Sequence, residues 1–150
     1  MGEWKKIRSD SDIQELMDLY NGFHDSCIVS VSYQSGAYVD DESAMGFGES
    51  ADYQLRVVFQ SQWNPKEIEL CFSGLRQLHL TGWQDHYVCC IFSAYLSFHD
   101  GVLPGKPEKV IVWADNDTFD INHIDYAIEE PSGTYIISNT LHWRVREKEL

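Results

Sequence analysis

The first place in the chain where side-chain chemistry is expected is a histidine next to an aspartate, in the segment Phe23-His24-Asp25-Ser26. An imidazole beside a carboxylate is a pairing that general acid–base catalysis uses. Neighbouring side chains in a strand point to opposite faces, so adjacency alone does not make His24 and Asp25 a catalytic pair. They follow a predicted helix, where polar side chains usually satisfy unpaired backbone groups. We therefore treat both as candidate binding residues, with structural capping as the alternative.

A second candidate is the polar run from Asp115 to His123, which is rich in carboxylate and amide oxygens. Hard cations such as calcium prefer these ligands. The spacing does not fit an EF-hand loop, because Asp120 stands where the glycine is needed and Tyr126 where the final glutamate is needed. Aspartate and asparagine are also ordinary turn residues. We expect a solvated loop without a metal ion, and we take Asp115, Asp117 and Asp120 as candidate binding residues.

The histidines and cysteines lack the spacings of metal-binding motifs. No two of the six histidines are arranged as H-x-H or H-x-x-x-H, and no two cysteines form C-x-x-C. The adjacent Cys89 and Cys90 would point to opposite faces of a strand. No cysteine has the basic neighbours that activate a thiol nucleophile, and phosphate- and dinucleotide-binding glycine motifs are missing. The sequence therefore predicts no metal, no cofactor and reduced thiols.

The net charge of −13 is unevenly distributed. Residues 1–8 and 144–150 contain six basic and three acidic residues, whereas the rest of the chain contains five basic and 21 acidic residues. The negative field argues against nucleic acid and anionic membranes as partners and fits a basic protein. The acidic run Asp40, Asp41 and Glu42, in a predicted loop or hairpin tip over residues 34–50, completes the candidate binding residues.

One helix is predicted, from Ser9 to Asn21. Ser9 is a good N-cap and Asn21-Gly22 a good left-handed stop. The apolar residues between them fall on one stripe at i, i+3, i+4 and i+7: Ile13, Leu16, Met17 and Tyr20.

After the helix, the hydrophobic period changes from 3.6 to 2. The alternating segments are residues 27–33, 53–59, 68–72, 88–98, 110–113 and 135–145. Clean alternation favours antiparallel pairing, since parallel strands are usually apolar on both faces. The predicted fold is a single domain over residues 1–150, mostly β with one N-terminal helix. About eight antiparallel strands would form a curled sheet, a barrel or a sandwich.

The C-terminal segment keeps one alternating register from Tyr135 to Val145. It is predicted to be one long strand, or a hairpin that turns at Ser138-Asn139. The face opposite its apolar residues is expected to be solvated and consists of Ser138, Thr140, His142, Arg144 and Arg146.

Two segments carry a loose family resemblance: Phe23-His24-Asp25-Ser26-x-Ile28 near the start and Asn139-x-Leu141-x-Trp143-Arg144 near the end. With the alternating strands between them, the chain resembles a group of small bacterial β-rich domains. Some comparable small acidic domains are immunity proteins, which bind and neutralise secreted toxins. The resemblance implies a bacterial cytoplasmic protein and brings no catalytic residues.

Three functions remain open at this point. The first is a non-enzymatic acidic binding module, of the immunity type, which masks a basic protein. The second is a small-ligand binder or hydrolase that uses polar groups in the curled sheet: His24, Asp25, His99 and His123. The third is a structural subunit that dimerises through an exposed edge strand, with the C-terminal strand as a candidate. The charged start and the lack of a long apolar run lead us to expect a cytoplasmic location.

Overall fold

The computed structural model describes residues 2–82, 88–102, 105, 108–122 and 133–146. These ranges contain one α-helix, α1 (Asp10–Leu19), two 3-10 turns (Asn21–Phe23 and Ser50–Asp52) and nine strands. The strands are β1 (Lys5–Lys6), β2 (Ser26–Gln34), β3 (Tyr38–Val39), β4 (Met45–Gly46), β5 (Gln54–Ser61), β6 (Glu67–His79), β7 (Tyr95–Asp100), β8 (Lys109–Ala114) and β9 (Tyr135–Val145).

Seven of these strands form one antiparallel sheet in the order β2-β5-β6-β9-β8-β7. The short β1 pairs with β9 near its C-terminal end, and β8 pairs with β9 near its N-terminal end. The prediction of a mostly β, antiparallel fold with one N-terminal helix is confirmed. Among its three variants, the closed barrel is wrong, because β2 and β7 are the outer strands of the path in the described sheet.

The helix has the ends that its sequence predicts. The Ser9 hydroxyl accepts a hydrogen bond from the Asp12 backbone N–H at 3.3 Å, and the helix ends before Asn21 and Gly22, whose φ angles are 54° and 61°. Its apolar stripe packs against the sheet. No helix in the described ranges is long and apolar enough to cross a membrane.

The main core lies between α1 and one face of the sheet, which we call the front face. Its centre is a group of aromatic rings in edge-to-face contact: Phe23 lies 5.0 Å from Phe59 and 5.7 Å from Trp113 between ring centroids. Aliphatic side chains from the central strands surround these rings, among them Leu55, Val57, Ile68, Leu70, Phe72, Ile111, Ile136 and Leu141.

A second, smaller core covers part of the opposite face, which we call the back face. It is built on β8 and the start of β9, and Phe119 and Ile121 pack against it from the loop that follows β8. Its buried residues are Val110, Val112, Ala114, Tyr135 and Ile137. The sheet is therefore apolar on both faces along β8, and the back face of β5, β6 and the second half of β9 lies outside this second core.

Two predicted strand boundaries are wrong. The segment 88–98 is not one strand, since β7 begins at Tyr95 and Ile91 makes only an isolated bridge to Ser26. In addition, the strand predicted over residues 68–72 does not end there, because β6 continues through Gly74, with a φ of 66°, and past a bulge between Leu75 and Gln77. Backbone hydrogen bonds decide the first case, because the segment before β7 bonds to the corner that follows α1 instead of extending the sheet.

Bulges and twist also change which side chains are buried. In β2 a bulge between Ile28 and Ser30 places Ile28 and Val31 against the core and leaves Val29 exposed. This arrangement departs from the regular alternation predicted over residues 27–33, which would place Val29 and Val31 on the same face.

The C-terminal segment is one strand, so the predicted alternative of a hairpin is wrong. Its Ser138 is fully buried rather than solvated, and Arg144 is largely buried in an ion pair. Because β9 pairs with strands on both sides, it is not the edge strand that the dimer hypothesis considered.

Tyr20 gives a pH-dependent prediction. Burial raises the pKa of its phenol, Cys27 and Glu67 add to this effect, and the Ser61 hydroxyl opposes it. In the described ranges no group, Ser61 included, meets the geometry of a full hydrogen bond to the Tyr20 hydroxyl, so Ser61 opposes the effect of burial only weakly. A raised folded-state pKa contributes stability that is present below the ordinary value of about 10 and is lost as the pH rises above it.

We therefore expect the free energy of unfolding of the wild type to fall more steeply than that of Tyr20→Phe above about pH 10. At neutral pH the variant should be as stable as the wild type, or more stable by about 1 kcal/mol, because the hydroxyl that it loses is unpaired. Urea denaturation over a pH series measures both. Parallel alkaline curves for the two proteins would contradict the assignment.

Candidate functional site

The most exposed apolar element in the described ranges is the hairpin formed by β3 and β4, residues 37–48, which we call the acidic hairpin. Tyr38 pairs with Gly46, and Val39 pairs with Met45. The side chains of Tyr38, Val39, Met45 and Phe47 are 57%, 62%, 65% and 63% exposed. None of them belongs to either core, so the fold does not account for their apolar character.

The tip of the acidic hairpin contains three predicted binding residues, and they differ in role. The Asp40 carboxylate accepts hydrogen bonds from the backbone N–H groups of Glu42 and Ala44, both at 2.9 Å, and so holds the turn together. Asp41 and Glu42 are exposed, and their carboxylates make no hydrogen bond or ion pair in the described ranges. Their two charges therefore face solvent.

The base of the hairpin is shaped by two glycines. Gly36 and Gly48 have φ angles of 74° and 66°, and a side chain on either would press against Asp52. Asp52 in turn accepts a hydrogen bond from the Glu49 backbone N–H at 2.8 Å, which completes a capping box on the following 3-10 turn. The hairpin thus leaves the main sheet through a defined junction.

His24 and Asp25 do meet, contrary to the expectation from strand geometry. The corner precedes β2, and Asp25 has a φ of 60°, so the alternation of a strand does not apply. His24 Nε2 lies 3.3 Å from Asp25 Oδ2, and Trp63 Nε1 donates to the same oxygen at 2.9 Å. The other ring nitrogen of His24 lies 2.8 Å from the Phe92 carbonyl oxygen. This corner connects three separate chain segments, and one of its contacts, from His24 to the Phe92 carbonyl, is with a backbone group.

The surroundings of the corner combine exposed aromatic rings with a cavity. Phe92 and Trp63 are 79% and 57% exposed. Beside them lies a cavity of about 440 Å³, whose lining includes Asp25 and three cysteines: Cys27, Cys89 and Cys90. Cys89 and Cys90 do not lie in a strand, so the strand-based expectation that they face opposite ways does not apply to them. All four cysteines are free thiols, and no described group of three or more potential ligands could hold a metal ion.

In the second predicted acidic group, Asp115, Asp117 and Asp120, two of the three carboxylates make contacts within the protein. Asp120 accepts a hydrogen bond from the Asn122 backbone N–H at 2.9 Å, and the Asp115 carboxylate packs closely against Gly133. Asp117 is exposed. Asp115 lines a different cavity, of about 310 Å³, from the one that Asp25 lines. The loop and the corner therefore do not converge on one site.

The remaining histidines of the ligand-binding hypothesis do not join the corner. His99 Nε2 is hydrogen-bonded to the Tyr95 hydroxyl at 2.5 Å, on the back face near the second core. His123 lies outside the described residues.

A basic group on the back face is a feature that the sequence reasoning missed. Strand pairing places Lys6, His142, Cys71 and Arg56 side by side across β1, β9, β6 and β5, and we call these four residues the cationic row. Lys6 and Arg56 are exposed and form no ion pair in the described ranges. Burial lowers the pKa of His142, and the nearby charges of Lys6 and Arg8 lower it further.

Trp4 lies against this row. Its ring centroid is 4.2 Å from the guanidinium carbon of Arg144 and 5.8 Å from that of Arg56. Arg144 is neutralised by Glu69, at 2.7 Å, whereas the contact that the described residues give the Arg56 guanidinium is the aromatic one. The sequence indicated this basic group only through the basic character of residues 1–8 and 144–150. The strand register that brings Arg56 beside Cys71 could not be predicted from the sequence.

Comparison of the chain with protein-family models, with curated proteins and with solved structures found no match. The resemblance to small bacterial β-rich domains is neither supported nor contradicted by these searches.

The different roles of the tip carboxylates can be tested by amide hydrogen exchange. Asp40→Ala removes the acceptor of the Glu42 and Ala44 amides, so both should exchange about fivefold faster or more, which corresponds to about 1 kcal/mol. Asp41→Ala should leave these two rates unchanged. The main sheet should unfold at the same urea concentration in both variants, because the tip carboxylates contact neither core. Equal exchange rates in the two variants would show that Asp40 does not hold the turn.

Proposed function

We propose that the protein is a non-enzymatic binding module whose acidic hairpin docks onto a basic surface of a partner protein. The observation that carries the proposal is the hairpin itself, where four exposed apolar side chains lie beside the carboxylates of Asp40, Asp41 and Glu42. The proposal includes a bacterial cytoplasmic protein of the immunity type, whose partner is a basic toxin, as the sequence resemblance suggests.

The hairpin has the two properties that a protein-binding element needs. Its apolar side chains would lose water on docking, and aromatic residues such as Tyr38 and Phe47 commonly supply much of the binding energy in protein interfaces. Asp41 and Glu42 are free to pair with cations of the partner, while Asp40 keeps the turn in shape. Because the hairpin is already folded through its own hydrogen bonds, little ordering entropy would oppose binding.

The overall charge favours the same class of partner. With a net charge of −13, the protein would attract a basic partner over a distance comparable to the Debye length, about 8–10 Å at ordinary salt. Asp117 would add to this field from the loop after β8. Long-range attraction acts mainly on the association rate, whereas the apolar contacts govern dissociation.

A second candidate function is the binding of a small ligand in the cavity beside Asp25. It is favoured by the His24–Asp25 contact and the exposed rings of Phe92 and Trp63. Acid–base catalysis is less favoured, since the Asp25 oxygen near His24 already accepts from Trp63 and the other ring nitrogen faces a carbonyl.

The proposed docking can be tested with two variants of the hairpin and a charge-matched control. Asp41→Asn/Glu42→Gln removes two charges from the tip, and Val39→Ser/Met45→Ser removes apolar area. The control, Glu3→Gln/Asp100→Asn, removes two exposed charges elsewhere. Basic proteins captured from bacterial lysate at low salt would be identified, and the most enriched one purified for kinetic measurements with each variant.

We expect the tip variant to slow association and the apolar variant to speed dissociation, each by about tenfold, or about 1.4 kcal/mol. The control should change neither rate by more than about twofold, because its charges lie outside the contact. If the control weakens binding as much as the tip variant does, only the net charge matters, and the hairpin is not the docking element.

A further inference from the structure

Two surfaces of opposite charge have no ion-pair partner within the part of the chain that the structure describes. On the cationic row, Lys6 and Arg56 have no carboxylate within ion-pair distance in the described ranges, and neither has the neighbouring Arg8. On the acidic hairpin, the carboxylates of Asp41 and Glu42 have no cation within ion-pair distance in the described ranges. In a protein with 24 acidic and 11 basic residues, a group of neighbouring exposed cations is a local surface of opposite sign to the net charge.

The cationic row can hold two carboxylates at once. Lys6 and Arg56 lie at its two ends, three strand spacings apart, which is about 14 Å between backbones. Both side chains are long enough to turn inward over Cys71 and His142, between them. Trp4, beside the row, offers a ring that is only partly buried. The surface therefore presents two exposed cations and a partly buried aromatic ring.

The acidic hairpin presents the complementary features. Asp41 and Glu42 are adjacent at its tip, and the exposed Val39 and Met45 pair directly behind the turn. Among the described acidic residues, these two combine free carboxylates with neighbouring exposed apolar side chains. They are the acidic segment of this protein that the cationic row fits best by charge and by apolar contact.

The positions of the two surfaces allow a closed pair. The hairpin is inserted between the end of β2 and the start of β5, and Arg56 is two residues beyond Gln54, which begins β5. That distance along a strand is about 7 Å. When a binding element and the surface that receives it lie close together on one molecule, two copies related by a two-fold axis can each dock their element on the other copy. Both contacts are then made within one dimer, and no open-ended polymer forms.

We infer that two copies of this protein associate, with the acidic hairpin of each docked on the cationic row of the other. The inference rests on the proposed function, because the same hairpin would bind the basic partner, and it adds a form of regulation. In the dimer both hairpins are covered, and a partner with a more basic surface would displace the second copy. The cationic row is then a receptor whose ligand is the protein itself.

The test uses charge reversal on each surface and sedimentation velocity at low salt. The row variant is Lys6→Glu/Arg56→Glu, and the hairpin variant is Asp41→Lys/Glu42→Lys. All four side chains are exposed, so both variants should fold, and circular dichroism checks this. The matched control, Lys66→Glu/Lys109→Glu, reverses two lysines outside the row.

The wild type and the control should sediment as dimers, and each reversed variant should sediment as a monomer with a dissociation constant at least tenfold higher. An equimolar mixture of the two reversed variants should restore the dimer, because both of its contacts are again between opposite charges. A monomeric wild type would overturn the inference. So would a dimer that both reversed variants retain, or a mixture that stays monomeric.

This outcome is separable from that of the proposed function. The row variant keeps the hairpin intact, so it should bind the purified basic partner at least as well as the wild type does. If the row variant binds and the wild type is monomeric, the self-association is wrong and the docking function stands. If the wild type is a dimer that depends on both surfaces while no variant affects partner binding, the docking function is wrong and the self-association stands.

Discussion

The rest of the structure depends on the packing of Phe23 between α1 and the sheet. This residue has a φ of 66°, a conformation that is uncommon for a side chain of its size, and it is fully buried. Asn21, Gly22 and Asp25 also have positive φ, so the backbone between α1 and β2 is strained by about 1–3 kcal/mol for each non-glycine residue. The edge-to-face contacts with the neighbouring aromatic rings offset this strain, since each is worth about 0.5–1.5 kcal/mol beyond the area that it buries.

The same packing determines where the polar chemistry of the molecule lies. With Phe23 directed inward, His24 and Asp25 are forced outward at the corner, where they join Trp63 and the Phe92 carbonyl. On the central strands, the residues that alternate with the core positions must face the back of the sheet. The second core covers that face only near β8, so the cationic row and its ion pairs occupy the half that remains.

Periodicity was sufficient to predict α1, β5 and β8, and it gave β9 one register without deciding between a single strand and a hairpin. It failed where the backbone departs from regular geometry. The bulge in β2 exchanges Val29 for Ile28 at the core, and the segment 88–94 has a strand-like sequence whose backbone bonds to the corner instead. Neither departure is encoded by residue type alone, since both depend on contacts between segments that are distant in the sequence.

Some of the candidate functional residues could be predicted from the sequence, whereas others depended on contacts that only the structure shows. The run of Asp40, Asp41 and Glu42 was found from composition, but the exposed hydrophobic residues beside it could be recognised only once the two cores were known. Arg56 was one of five scattered basic residues in the sequence, and pairing of β5 with β6 and β9 makes it part of a row. Function-bearing surfaces are thus harder to predict than the fold, because they are defined by the residues that the core does not use.

The acidic hairpin and the cationic row also show that a net charge of −13 is a poor description of this surface. The hairpin contributes to neither core, so its sequence is under little constraint from the stability of the fold. Four apolar side chains kept in water on such an element would reduce solubility without a compensating gain in stability. Such side chains beside exposed carboxylates are what the proposed contact with another molecule would use, and the exposed cations of the row offer a surface of the opposite charge.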